Sequence, residues 1–232
     1  MARETEPMLQ ATDLHKSFGG NEVLHGVDLA VMAGELTLIT GPSGSGKTTL
    51  LNIVAGIEHP TSGTVSHENQ EVSSLRPAAL TDWRARHTGY VFQRSGLLGG
   101  LTAKENILAP HSLMENSIDK VWAATLCARL GIARLLDQSA LELSGGEKQR
   151  VSIARALVHQ PDILFADEPD ASLDTEAKVE IHEIIRDLVD SLGVTVAMVS
   201  HNPLSAKYAD RITTLQDGKI VTSGHFIPKE SD

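Results

Sequence analysis

The chain alternates short apolar runs with longer segments in which apolar residues recur every three or four positions. Four runs have the length and flanking residues of buried strands: 35–40, 88–93, 162–167 and 194–200. Residues 45–57 and 175–193 have the helical repeat, and Gly193 is placed to end the second helix. Strands and helices that alternate in this way predict an α/β fold with a parallel sheet.

The N-terminal part and the middle of the chain follow other patterns. Residues 8–15 and 21–31 alternate apolar and polar positions, which is typical of antiparallel strands. Between 94 and about 159 no strand pattern stands out, so we expect a mostly helical insertion there. We therefore predict a single domain over residues 1–232, with a core formed by about 8–93 and 160–224 and a helical subdomain over about 94–159.

Composition and charge narrow the class of protein. A chain of 232 residues with 41% hydrophobic residues can bury a large core. Its net charge of −10 provides no basic stripe, so no nucleic-acid partner is expected. The single cysteine, Cys127, falls in an apolar pattern and is interpreted as a core residue. No apolar run approaches the length of a membrane span, so we expect a cytoplasmic protein that reaches a membrane only through a partner.

The strongest local motif is GPSGSGKT, residues 41–48, which follows a predicted strand and opens a predicted helix. Glycines let backbone N–H groups surround a phosphate, while Lys47 reaches the β- and γ-oxygens and Thr48 offers a hydroxyl to Mg²⁺. A Gly/Ser loop without a ligand is the alternative, but strand, lysine and helix together favour a phosphate site. Its predicted binding residues are Gly41, Ser43, Gly44, Ser45, Gly46, Lys47, Thr48 and Thr49.

A second candidate element is DILFADEPD, residues 162–170. The apolar run brings Asp167 to the tip of a buried strand, where its carboxylate can orient the water shell of Mg²⁺. Glu168 would then face the γ-phosphate as general base or water-positioning group. An Asp–Glu pair after a strand often only caps a helix, but the phosphate loop earlier in the chain favours the catalytic interpretation.

A third element, LELSGGEKQR, places Ser144, Gly145 and Gly146 at the start of a predicted long helix. The free N–H groups of a helix start suit a phosphate. The spacing of Ser144 and Glu147 also fits a capping box, in which each residue satisfies a backbone N–H of the other. Both interpretations can hold at once.

Taken in order, GPSGSGKT, LSGGEKQR, ILFADEP, SLD and VSH resemble the nucleotide-binding subunit of ATP-binding cassette (ABC) transporters over about residues 8–224. LSGGE separates this family from other P-loop proteins. The resemblance implies a P-loop NTPase core, ATP and Mg²⁺ as ligands, and ATP hydrolysis. It also implies that two copies assemble head to tail around two ATP molecules, so that Ser144, Gly145 and Gly146 hold the partner's γ-phosphate.

The resemblance assigns further residues one at a time. Gln93 matches the glutamine that contacts Mg²⁺ and the attacking water, and His201 matches the histidine that bonds the γ-phosphate. Asp174 belongs to a loop that crosses the dimer interface, although it also fits the N-cap of the next helix. Phe18 occupies the position of the aromatic ring that stacks on adenine.

The chain departs from the family's usual residues at two positions. Many relatives read ADEPTGNLD where this chain reads ADEPDASLD, so Asp170 adds a carboxylate two residues after Glu168. Relatives often have aspartate after the histidine, where this chain has Asn202. Neither change removes a group that binds phosphate or activates water, so an active ATPase is still expected.

Within the family, residues 91–110 resemble the lipoprotein-releasing, macrolide-exporting and cell-division ATPases that work with FtsX-like permeases. The implied partner is an integral membrane permease, which would hold the chain on the inner face of the membrane. Leu97, Leu98 and Leu101 lie in a glycine-flanked, mobile loop predicted to receive a permease helix, unless they pack into the lobe's own core. Alternatives are an importer subunit and, less favoured, a soluble ABC ATPase acting on nucleic acid or ribosomes.

Overall fold

The computed structural model describes residues 6–110 and 118–225. The strands are β1 (Leu9–Phe18), β2 (Asn21–Val31), β3 (Leu36–Thr40), β4 (Ser62–His67), β5 (Gln70–Glu71), β6 (Thr88–Val91), β7 (Ile163–Asp167), β8 (Thr195–Val199), β9 (Arg211–Gln216) and β10 (Lys219–His225). The helices are α1 (Lys47–Val54), α2 (Pro77–His87), α3 (Ala103–Leu108), α4 (Lys120–Arg129), α5 (Gly145–Leu157) and α6 (Thr175–Leu192), with 3₁₀ turns at Ala133–Leu135 and Pro203–Tyr208.

The central sheet of the structure has six strands in the order β10-β9-β3-β8-β7-β6. All neighbours are parallel except β10, which runs antiparallel to β9. Every residue of β8 is buried, as expected for a parallel strand that is covered on both faces. The predicted α/β fold is confirmed, and the loops after β3, β6, β7 and β8 meet at one edge of the sheet.

Alternate residues of β7 enter two separate apolar cores. Ile163 and Phe165 pack with α1 and the N-terminal strands, whereas Leu164 and Ala166 pack with α5 and α6. The alternation follows from the strand repeat, in which successive side chains point to opposite faces. Cys127, on α4, lies in the second of these cores, as predicted.

The predicted antiparallel region forms a second sheet, in the order β2-β1-β4-β5. Its two long strands pair along most of their length and cover the face of the central sheet that carries α1. The predicted strand bounds were close, but the helix expected over 45–57 spans only Lys47–Val54, and the strand expected over 88–93 ends at Val91. The chain leaves the sheet at these points to form the loops of the site.

In its described residues, 94–110 and 118–159, the segment between β6 and β7 contains short helices joined by loops and no strand, apart from an isolated bridge between Thr102 and Ser139. Its last helix, α5, lies directly on the central sheet, because a Cβ on Gly89 of β6 would stand 2.2 Å from the carbonyl oxygen of Ala156. The insertion is therefore continuous with the core at α5. No helix among the described residues is both long and apolar enough to cross a bilayer.

His67, His87 and Asp162 meet where β4, α2 and β7 come together, with their ligand atoms within 4.8 Å of one another. The Trp83 Nε1–H donates to His67 Nδ1 at 3.4 Å, so the remaining proton of a neutral His67 lies on Nε2, 3.4 Å from the Asp162 carboxylate. Burial lowers the pKa of His67, which favours the neutral form. A protonated Nε2 cannot ligate a metal, and it forms no hydrogen bond within the described residues, so the hydrogen bonds at this junction are the one from Trp83 to His67 and the one between His87 and Asp162.

Candidate active site

The loop between β3 and α1 curls so tightly that two of its positions accept only glycine. Gly41 has φ of 144°, and a Cβ there would stand 1.9 Å from the carbonyl oxygen of Leu215. Gly46 has φ of 100°, and a Cβ there would stand 2.9 Å from a methyl of Leu24. The loop can therefore take this shape only where side chains are absent.

Lys47, the first residue of α1, reaches back into this loop. Its side chain is 7% exposed, and Nζ donates to the carbonyl oxygens of Gly41 at 3.0 Å and Pro42 at 2.7 Å. Gly46 supplies no side-chain cap, so the first N–H groups of α1 are left for another acceptor. An ammonium inside a ring of N–H groups is a site for an anion of several charges, such as a polyphosphate.

Thr48 and Asp167 pair a hydroxyl with a carboxylate at the edge of this loop. Thr48 Oγ1 donates to Asp167 Oδ1 at 3.0 Å. Burial raises the pKa of Asp167, and the neighbouring charge of Glu168 acts in the same direction, against the Thr48 hydrogen bond. These oxygen donors are the kind that Mg²⁺ prefers, and a cation there would offset the cost of the buried carboxylate.

Glu168 stands at the meeting point of three strand ends. Its Oε1 lies 2.9 Å from Nδ1 of His201, which follows β8, and its Oε2 accepts from Nε2 of Gln93 at 3.2 Å, just beyond β6. The three side chains predicted to act on the γ-phosphate and water are thus in contact. The structure brings them together from positions far apart in the sequence.

The backbone at Glu168 adopts a conformation that is costly for a residue with a side chain. Its φ is +45°, in the left-handed region, where a non-glycine residue costs on the order of 1–3 kcal/mol. Its N–H donates to the carbonyl oxygen of Val199 at 2.9 Å, which ties the turn to the end of β8. This turn lifts the carboxylate out of the sheet and into the cleft.

These residues surround a cleft of about 740 Å³, a volume that suits a small-molecule ligand. It is lined by Val23, Gly41, Pro42, Ser43, Gly44, Gly46, Lys47, Thr48, Thr49, Glu168 and His201. Ser45, also predicted, is buried beneath the loop, and Phe18 does not line the cleft. Phe18 is 48% exposed, and the ammonium of Lys16 lies 4.7 Å from the centre of its ring.

Ser144 opens α5 with both halves of a capping box. Its Oγ accepts from the N–H of Glu147 at 3.3 Å, and Oε2 of Glu147 accepts from the N–H of Ser144 at 2.9 Å. Hydrogen bonds from the backbone and hydroxyl of Ser144 hold the pKa of Glu147 below its ordinary value. The capping interpretation is therefore confirmed. It leaves the N–H groups of Gly145 and Gly146 outside the box.

The Ser144–Gly146 segment does not line the cleft of its own chain. It adjoins the loop before α6 and the first turn of that helix, because a Cβ on Gly145 would stand 3.4 Å from Leu173 and one on Gly146 would stand 3.5 Å from Ala177. Asp174, in the same loop, caps α6 by accepting from the N–H of Ala177 at 2.9 Å. Ser144, Gly145 and Asp174 are all exposed, so these elements share one accessible surface.

One contact at this edge of the sheet was missed by the sequence analysis. Asn202 Nδ2 donates to Asp170 Oδ2 at 2.7 Å, although the two residues are 32 positions apart. Each had been singled out as unusual, but no local pattern relates them. Only the pairing of β7 with β8 brings their loops together.

Comparison with known proteins gives one family. A family model described as ABC transporter matches residues 24–171. The bacitracin export ATP-binding protein BceA of Halalkalibacterium halodurans is 40% identical over 94% of this chain and 88% of its own length. The lipoprotein-releasing system ATP-binding protein LolD of Bacteroides thetaiotaomicron is 40% identical over 92% of this chain and 99% of its own.

A longer relative and two solved structures extend the comparison. The macrolide export ATP-binding/permease protein MacB of Salmonella choleraesuis is 41% identical over 92% of this chain, which spans 34% of that protein. A bacterial ABC transporter cassette solved as a dimer matches with a TM-score of 0.85 and 32% identity, over 96% of this chain and 100% of that one. A dimeric post-hydrolysis state of that cassette, bound to ADP and Pi, has a TM-score of 0.84.

Proposed function

The chain belongs to the ABC transporter family of ATP-binding proteins, and we propose that it hydrolyses ATP in a head-to-tail dimer to drive a separate, export-type membrane permease. One observation is the main support for the proposed dimer. The cleft that holds the phosphate loop, Glu168 and His201 contains no residue of the Ser144–Gly146 segment. A second copy can bring its own exposed segment to the open side of that cleft.

Within each cleft we assign the residues roles in binding or hydrolysing ATP according to their chemistry. Lys47 would exchange its two carbonyl contacts for phosphate oxygens, joined by the N–H groups that begin α1. Thr48, Asp167 and Gln93 would hold Mg²⁺, which neutralises charge on the β- and γ-phosphates. Glu168 would accept a proton from the attacking water. Phe18 would stack on adenine, on the ring face away from Lys16.

The partner copy completes the site in this proposal. Its Ser144, Gly145 and Gly146 would present helix N–H groups to the γ-phosphate, and Asp174 would lie in the contact between copies. The nearness of Gly145 to Leu173 within one chain supports this, because the same closure would bury both segments. Closure is then coupled to ATP, since the phosphate is shared by both chains.

Tethered dimers distinguish sites shared between chains from sites contained in one chain. With Lys47→Ala in one half and Ser144→Arg in the other, one site loses both elements and the other keeps both, if the site is shared. With both substitutions in the same half, each site loses one element. We expect the first tethered dimer to retain about one ATP and the second to retain none, measured as MgATP held after rapid desalting. The reverse result would mean that each chain completes its own site.

A groove on the helical segment supports a permease partner. It measures about 750 Å³ and is lined by Gly96, Leu98, Leu101, Glu105, Leu108, Ala109, Pro110 and Arg155. Leu98 is 55% exposed, whereas Leu97 is partly buried against the apolar core. The loop follows Gln93, so a partner seated there would sense the side chain that contacts Glu168.

The loop is more firmly held than its glycines predict. The Asn106 side chain accepts from the N–H of Leu98 at 2.7 Å and donates to its carbonyl oxygen at 3.0 Å. Arg155 donates to the carbonyl oxygens of Ser95 at 2.7 Å and Gly96 at 2.9 Å. Leu98 is thus presented at a fixed position, which suits docking because little chain entropy is lost on binding.

A pair of matched variants tests the groove. Leu98→Glu places a charge in it, while Val121→Glu places the same charge at a residue of α4 that is 77% exposed. We expect only Leu98→Glu to lose the membrane protein that co-purifies with the wild-type chain in mild detergent, with both variants keeping ATP binding and melting temperature. Equal binding by the two variants would place the docking surface elsewhere.

The direction of transport and the kind of permease are proposed on separate grounds. The names of three relatives describe bacitracin export, lipoprotein release and macrolide export. These names support export. The resemblance of residues 91–110 to ATPases that work with FtsX-like permeases supports an FtsX-like partner, which would hold the chain on the inner face of the membrane. Mass spectrometry of the co-purifying membrane protein tests it, since an importer-type permease in its place would overturn the export assignment.

A further inference from the structure

The loops after β7 and β8 are joined by two hydrogen bonds. Glu168 contacts His201 at 2.9 Å, and Asp170 accepts from Asn202 at 2.7 Å. Glu168 and His201 line the cleft, whereas Asp170 and Asn202, on the same two loops, do not. The two contacts therefore join the same two loops, one at the cleft and one outside its lining.

The orientation of the Asn202 amide is set by its other contacts. Its Oδ1 accepts from the N–H of Leu204 at 3.0 Å, so the NH₂ group is the one that meets Asp170. The Asn202 backbone N–H donates to Ser200 Oγ at 3.0 Å, which folds the segment back on the end of β8. The donor is thus fixed in place before it meets the carboxylate.

Asp170 is held as firmly on the other loop. It is 2% exposed, and the N–H of Leu173 donates to its carbonyl oxygen at 3.2 Å. Asp170 forms no ion pair with any side chain in residues 6–110 and 118–225, so the amide of Asn202 is the side-chain partner that the structure gives it. Hydrogen bonds to an ionised acceptor are shorter and stronger than neutral ones, which suits a fixed link.

We propose that the Asp170–Asn202 hydrogen bond is a positioning contact for ATP hydrolysis, which keeps Glu168 and His201 at the spacing that the reaction needs. The inference rests on the proposed roles of those two residues. During hydrolysis Glu168 must turn to water and His201 to phosphate, so their own contact cannot hold the loops. The Asp170–Asn202 contact does not line the cleft and can persist throughout.

The charge at these two positions provides the test. In Asn202→Asp two carboxylates face one another across 2.7 Å in a partly buried setting, and the loops must separate or the carboxylates must share a proton. In the exchanged pair, D170N/N202D, the new amide can donate to the new carboxylate. The second oxygen of that carboxylate remains free to accept from the N–H of Leu204.

Several other ionisable groups surround the Asp170–Asn202 contact, and a change of pH can alter the rate of hydrolysis through them as well. Glu168 and His201 are in the same two loops, Asp167 precedes them, and Asp174 begins α6. His182, on α6, contacts Ser205 Oγ at 2.7 Å, and that hydroxyl donates to Ser200 Oγ at 2.8 Å. Each variant is therefore compared with the wild type at the same pH, so that titration of these groups cancels.

Steady-state ATP hydrolysis and equilibrium ATP binding are measured for the wild type, D170N, N202D and the exchanged pair at pH 8 and pH 6. We expect N202D to lower kcat about tenfold at pH 8 with its Kd for ATP unchanged, and to lose less at pH 6, where a proton can bridge the carboxylates. D170N keeps a neutral hydrogen bond and should lose about twofold. The exchanged pair should recover to within about threefold of wild type.

Two outcomes overturn the proposal: N202D with the kcat of wild type, or an exchanged pair as slow as N202D. Should N202D fail to fold, Asn202→Ala removes the donor without adding charge, and an unchanged kcat in that folded variant has the same meaning. Glu168→Gln separates this from the proposed function. If Glu168→Gln is slow and N202D is normal, the hydrolysis site stands and only the positioning contact is rejected; if both are normal, the assignment of Glu168 fails.

Discussion

Replacing Glu168 by glutamine separates the binding of ATP from its hydrolysis. The carboxylate accepts from Gln93 at 3.2 Å and lies 2.9 Å from a ring nitrogen of His201. Glutamine has the same shape and can keep one of these partners through its oxygen, while the amide of Gln93 can turn to accept from the new NH₂ group. We expect the fold and ATP affinity to be retained and the proton acceptor for water to be lost.

The size of the expected effect distinguishes a general base from a structural hydrogen bond. Losing one net hydrogen bond costs about 0.5–1.5 kcal/mol, which is at most about tenfold in rate. Loss of a general base lowers the rate about 10²- to 10⁴-fold, equivalent to about 3–5.5 kcal/mol. A fall beyond about a hundredfold therefore requires that Glu168 act on water, because the contacts it makes in the structure cannot account for that much.

Single-turnover release of phosphate measures the rate, and size-exclusion chromatography with MgATP measures assembly. The variant should accumulate as a dimer, because ATP that holds two chains together is no longer consumed. Glu176→Gln, on the exposed first turn of α6, is the matched control and should behave as wild type. A Glu168→Gln rate within about tenfold of wild type would refute the general-base assignment, and a monomer at all ATP concentrations would count against the shared site.

Three further variants probe the supporting contacts. Lys47→Ala should weaken ATP binding about a hundredfold or more in calorimetry, because phosphate charge is left uncompensated, whereas Lys104→Ala, at an exposed residue of α3, should not. Ser144→Ala should lower the free energy of unfolding by about 1 kcal/mol. The main cause of the lowered pKa of Glu147 is the backbone N–H of Ser144, which alanine keeps, so both proteins should lose that contribution as the pH falls through the lowered pKa. The difference between them in urea unfolding should narrow only by the smaller contribution of the Ser144 hydroxyl. Burial lowers the pKa of His67, so the folded chain loses stability as the pH falls through about 6.5, and His67→Gln should reduce that slope.

The chemistry of the site could be predicted because each of its groups belongs to a short local motif. A phosphate loop is recognisable from its glycines and lysine, since the backbone shape it needs excludes side chains at Gly41 and Gly46. Asp167 and Glu168 follow an apolar run whose end marks the edge of a sheet. Their meeting with Gln93 and His201 was expected from the family resemblance, and the structure places the side chains in contact.

The strands β9 and β10 were missed although a signal was present. An Asp–Gly pair at 217–218, with φ of 47° and 73°, joins two runs rich in β-branched residues, which is a strong hairpin signal. Most of β10 is exposed, so its apolar periodicity is weak. For this hairpin the Asp–Gly turn was a better predictor of the two strands than their hydrophobic pattern.

The order of the strands in the sheet cannot be predicted from local sequence patterns, because all buried parallel strands are about equally apolar. The observed order places β8 between β3 and β7, so the loop that bears His201 emerges between the phosphate loop and the turn that bears Glu168. The histidine is thereby held beside both groups, a placement that its VSH motif does not encode. The same order places Asn202 against Asp170. Two residues that look like separate departures in the sequence are thus one contact in the fold, and a change at either position must be judged together with the other.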